Sequence, residues 1–67
     1  MISYNPLWET MKKKDITTYH LIQKGIDKHT VQNLKDNKNI TMLTAEKLCN
    51  LLNCNISDIV IFYKENN

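Results

Sequence analysis

The residues best equipped for chemistry are concentrated between positions 28 and 36, where Lys28, His29, Gln32, Asn33, Lys35 and Asp36 supply donors and acceptors while only Val31 and Leu34 are apolar. At helical spacing the two apolar residues form a thin inward stripe, leaving a broad polar outer face. Such a face, taken alone, is most often simply solvated. It is also what recognition of another polar surface by hydrogen bonds requires. Catalysis is a poorer fit. No Ser, Cys or Lys stands in a base-and-orienter arrangement, and no Gly-rich phosphate loop exists. His20 and His29 are nine positions apart with no thiol or carboxylate partner at ligand spacing, so neither is read as a metal ligand.

The 67 residues are one domain, 1–67, and a chain of this size buries only about 60% of the surface that its unfolded form exposes. Little material remains for a catalytic cleft. Net charge is +2 and the pI is near 8.6, short of the value of about 9 at which charge by itself marks a nucleic-acid binder. All nine basic residues are Lys, which brings mobile point charges suited to phosphate and none of the rigid forks of Arg. No apolar run reaches the 18 or so residues of a membrane span. The opening MISYNPLWETMKKK lacks a signal peptide's order of basic then apolar residues, so a cytoplasmic location is expected. Cys49 and Cys54 would then stay reduced, as small apolar core residues or bystanders.

Periodicity and punctuation predict a series of short helices. Asn5 and Pro6 start the first, with Leu7, Trp8 and Met11 inward and Lys12 to Lys14 at its C-terminal end, where cations suit the helix dipole. Thr17 caps the second, with Leu21 and Ile22 inward and Tyr19 partly covered, and Gly25 ends it in a left-handed conformation. Ile26 tucks into the core, and Asp27 caps a third helix from Lys28 to about Asn37. After the polar loop of Asn37, Lys38 and Asn39, Ile40 and Thr41 open a fourth helix with Met42, Ala45, Leu48, Cys49 and Leu52 at helical spacing. Ser57 can cap a short fifth helix, with Ile56, Ile59 and Val60 closing the core. Ile61, Phe62 and Tyr63 fit either a helix or an extended tail.

The order I-T-x-x-x-L (16–21), G-I-D (25–27), T-V-x-x-L (30–34), T-M-L-T-A-E-K-L-C-N-L-L (41–52) and N-I-S-D-I-V (55–60) resembles the phage-repressor and Cro-type, or XRE-like, helix-turn-helix transcriptional regulators. It spans nearly the whole chain. Two features depart from the family's usual pattern: the Leu21–Gly25 stretch is one residue short, and Ile22 stands where a small Ala is common. The resemblance implies an all-α, compact five-helix DNA-binding domain whose second and third helices form the helix-turn-helix. It implies that Lys28, His29, Gln32 and Asn33 face base edges, while Thr17, Thr18, Lys35, Lys38 and Asn39 face phosphates. The side-chain chemistry agrees. Asn pairs bidentately with adenine and Lys donates to guanine, each good pair contributing about 1–3 kcal/mol of discrimination.

The expected function is therefore sequence-specific binding of double-stranded DNA by a repressor-like regulator, without cofactor, metal, membrane or evident small-molecule ligand. A small domain binds weakly alone, so a homodimer through Ile59, Ile61, Phe62 and Tyr63 is expected, unless those residues merely cover the first helix. The competing expectation is a protein-interaction module on the same fold, such as an antitoxin or accessory subunit.

Overall fold

A computed structural model describes residues 1–64. The elements, in order, are β1 (Ile2–Ser3), α1 (Asn5–Lys13), α2 (Thr18–Gln23), α3 (Lys28–Lys35), α4 (Met42–Leu52), a single 3-10 turn (Ile56–Asp58) and β2 (Ile61–Phe62). The strands pair antiparallel, Ile2 opposite Phe62 and Ser3 opposite Ile61, which joins the two ends of the described chain.

The expectation of five helices is corrected to four α-helices with a small sheet. The segment expected to form the fifth helix makes one 3-10 turn, preceded by Asn55 rather than capped by Ser57, with the Asn55 N–H donating to the Asp58 carboxylate at 3.1 Å. Beyond it the run Ile59, Val60, Ile61 is β-branched throughout, and such side chains favour a pleated strand over a continuing helix. Two-residue strands carry no periodicity, which is why β1 leaves no signal in the sequence.

Helix starts follow side-chain chemistry at α2 and α4. The Thr17 hydroxyl accepts from the His20 N–H at 3.3 Å, and that of Thr41 accepts from the Thr44 N–H at 3.1 Å. At α1 the expected cap, Asn5, lies inside the helix, and its own N–H donates to the Ser3 hydroxyl at 3.2 Å. Asp27 precedes α3 with extended backbone, but its side chain makes no capping bond.

Helix ends share one device. Asp15, Gly25, Asn37 and Asn53, one after each α-helix, take positive φ values of 57°, 99°, 56° and 50°. The next residue's N–H then returns to a carbonyl five positions back: Ile16 to Met11 at 2.9 Å, Ile26 to Leu21 at 3.0 Å, Lys38 to Asn33 at 2.8 Å and Cys54 to Cys49 at 3.0 Å. This satisfies carbonyls that a helix end otherwise leaves open, and it brings the two side chains of each pair together. At α1 and α2 those pairs are apolar and belong to the core or pack on it.

The core is built from Tyr4, Leu7, Met11, Leu21, Ile26, Val31, Leu34, Leu48, Leu52 and Ile59, with Trp8 and Ile22 packed against it. Each fully buried leucine contributes about 1.5–3 kcal/mol relative to exposure. Four expectations shift. Tyr19, Met42 and Ile56 point outward, 68%, 78% and 46% exposed. Ile59 is fully buried beneath α1, whose Leu7 N–H donates to its carbonyl, so it belongs to the core and not to an exterior contact surface.

Gly25 has the largest positive φ among the described residues, and a Cβ there would meet the Lys47 ammonium at 2.9 Å. We expect Gly25→Ala to lose about 1–2 kcal/mol, mostly from the backbone. Thermal denaturation followed by circular dichroism would show this as a fall of about 4–8 °C for each kcal/mol.

Candidate nucleic-acid interface

Residues 24–27 connect α2 to α3 through the left-handed turn at Gly25, and Val31 and Leu34 bind α3 to the core. With that side fixed, helical geometry centres the outer face on His29, Gln32 and Asp36, flanked by Lys28 and Lys35 on one side and Asn33 on the other. Lys28, His29, Gln32 and Lys35 are exposed, and Asn33 is half-buried at the edge. Thr17 and Lys38 and Asn39 are exposed, and Thr18 is half-buried. Every candidate residue therefore has a side chain that solvent reaches. The Thr17 hydroxyl, which accepts a bond as a cap, still has its own proton to donate.

The outer face carries an anion, Asp36, at its C-terminal end. Asp36 accepts from the Gln32 amide nitrogen at 3.2 Å to each carboxylate oxygen. Gln32 is thereby oriented with its nitrogen committed and its amide oxygen free to accept. The four-residue spacing of the two on one helix face was available in the sequence as a signal.

The loop after α3 is held from the opposite end of the chain. The Tyr4 hydroxyl donates to the Lys38 carbonyl at 2.7 Å, and the Tyr4 N–H donates to the Asn37 side-chain oxygen at 3.0 Å. Lys38 thus projects from a backbone held through both its N–H, which returns to Asn33, and its carbonyl, and Asn39 follows it directly. Lys47 of α4 donates to the Gly25 carbonyl at 3.1 Å, bracing the turn before α3 in the same manner. Neither Tyr4 nor Lys47 stands out in the sequence, because each acts on a residue more than twenty positions away.

A polar helix presented outward and braced by a second helix across a glycine turn is a helix-turn-helix. The family model for the Cro/C1-type HTH DNA-binding domain matches residues 6–65, and the chain belongs to that family, which is one of DNA-binding domains and not of enzymes. The fold is similar to that in the crystal structure of transcriptional regulator VanUg, Form II, with a TM-score of 0.88 and 31% sequence identity over 96% of this chain and 87% of that one. No curated protein matches the chain. Among the described residues no helix is long and apolar enough to cross a membrane.

Burial holds the Tyr4 phenol above the ordinary tyrosine range. The folded chain therefore keeps this proton more tightly than the unfolded one. The associated stability is complete below the ordinary tyrosine pKa of about 10 and is lost as pH rises through the folded value. We expect Tyr4→Phe to cost about 0.5–1.5 kcal/mol at neutral pH and to make the alkaline decline shallower. Urea denaturation at neutral and alkaline pH would check both.

Proposed function

We propose that this domain is a sequence-specific regulator of transcription that reads double-stranded DNA by inserting α3 into the major groove. The observation that carries the proposal is the polar face of α3, held outward by Val31 and Leu34 and supported at both ends by Lys47 and Tyr4. The likeness to a transcriptional regulator at 31% identity supports the same reading. Lys28, His29, Gln32 and Asn33 contact base edges. Gln32, with its nitrogen held by Asp36, offers an acceptor, which suits the amino groups of adenine or cytosine in the major groove. Thr17, Thr18, Lys35, Lys38 and Asn39 contact phosphates and set the register.

The functional unit in this proposal is a symmetric dimer on two half-sites. Ile61, Phe62 and Tyr63 form its contact surface, since they are exposed on and beside β2, Phe62 at 75%. Ile59, being buried, has no part in it. The negative charge of Asp36 opposes binding to arbitrary duplex, so discrimination comes at the expense of raw affinity.

Fluorescence anisotropy with a random duplex at about 50 and 200 mM salt tests the proposal, and absence of binding at the lower salt would remove it. Lys28→Ala with Asn33→Ala should relax sequence preference in a selection from random duplexes while leaving the melting temperature close to that of the parent. Lys38→Ala should weaken all duplexes alike and lower the salt slope by about 1. Asp36→Asn should bind random duplex more tightly. Sedimentation equilibrium of Phe62→Lys should give a monomer where the parent dimerises; an unchanged mass would rule out the β2 surface.

A further inference from the structure

The fold-back that ends α4 does something the other three do not. In an uninterrupted helix, residues five apart lie about 140° apart around the axis, so Cys49 and Cys54 would face different directions. The left-handed backbone of Asn53 turns the chain, and the Cys54 N–H returns to the Cys49 carbonyl at 3.0 Å. Where the same joint pairs Met11 with Ile16 and Leu21 with Ile26, here it pairs two cysteines. The 3.0 Å backbone bond holds the two residues side by side at the joint, as a disulfide requires, since its Cα atoms must come within about 4.4–6.8 Å of each other.

Both thiols are free and half-buried, and both line an open surface recess of about 480 Å³ together with Met42, Leu43, Glu46 and Ile56. Cys54 also borders a second recess beside Lys13 and Lys14. Small solutes therefore reach the pair. Among the described residues no third His, Cys, Asp or Glu joins to make a metal-holding group. None of the candidate DNA-contacting residues lines either recess, so this chemistry is separate from the face of α3.

We propose that Cys49 and Cys54 form a site of reversible oxidation, closing to an intramolecular disulfide when the chain meets a peroxide. One thiolate attacks a peroxide oxygen; the O–O bond breaks, a sulfenic acid forms and the departing hydroxide takes a proton to become water. The second thiolate attacks that sulfur; the S–S bond forms, the S–O bond breaks and a second water leaves. Two thiols lose two electrons in total and the peroxide gains them. Burial and then the neighbouring Cys49 push the Cys54 thiol up, so the closure quickens as the pH is raised.

The test exposes the full chain to hydrogen peroxide, unfolds it, alkylates it with iodoacetamide and weighs it intact. The expected product is monomeric, lighter by two hydrogens, unalkylated at both positions and restored by dithiothreitol. It forms faster in the folded chain than in the same chain held in urea, and it is absent from Cys49→Ser and from Cys54→Ser. Addition of oxygen without loss of hydrogen, cross-linked dimers as the main product, or closure in urea at an equal or greater rate would each overturn the proposal.

Discussion

The architecture depends on one backbone event repeated four times: a residue in the left-handed region just past a helix, followed by an N–H that returns to the last turn. Helices of six to eleven residues are too short to hold together alone in water, since the cost of nucleation is recovered only over longer runs or by packing. Each therefore has to end sharply and deliver its apolar stripe to the others within a few residues. The left-handed joint accomplishes both, because it reverses the chain and satisfies open carbonyls in the same step. Only one of the four positions is Gly; Asp15, Asn37 and Asn53 take the other three, and Asp and Asn tolerate this backbone better than other side chains.

Around that frame a few long-range hydrogen bonds set the recognition face. Tyr4 secures the loop after α3, Lys47 secures the turn before it, and the β1–β2 pair ties the start of the chain to its far end. The Tyr4 hydroxyl and the Lys47 ammonium donate to backbone carbonyls on either side of α3, so the helix is restrained at both ends while its outer side chains stay in solvent. Asp36 adds a further constraint by orienting Gln32 and by lowering the positive potential of the face. Under the proposed function, a chain of net charge +2 with an acidic residue at the end of its polar helix would rely less on indiscriminate attraction to phosphate than on fitted contacts.

Much of the fold was legible in local pattern. Thr17 as a cap, Gly25 as a left-handed end, Ile26 as a core residue and the Val31 and Leu34 stripe are each decided within a few positions of the chain, and all appear in the structure. The family was legible for the same reason, since its signature is an ordered set of such local features. The outward set on α3 followed from periodicity alone. What was missed involves partners distant in sequence. Tyr4 reads as an unremarkable aromatic until Asn37 and Lys38 are brought to it, and Ile59 fits both a core and a dimer contact until α1 lies over it.

The sequence by itself determined the four α-helical segments, where two of them are capped, which face of α3 is polar and to which family the chain belongs, because short-range sterics and apolar spacing suffice for these. Only the tertiary structure decided that the last segment is a 3-10 turn and strand, that β1 pairs with β2, that the loops flanking α3 are fixed, and that two cysteines five positions apart share one backbone joint and one recess. Those outcomes rest on hydrogen bonds and burial between residues that no local pattern relates, and on backbone rotations at Asn and Asp that their side chains permit without compelling.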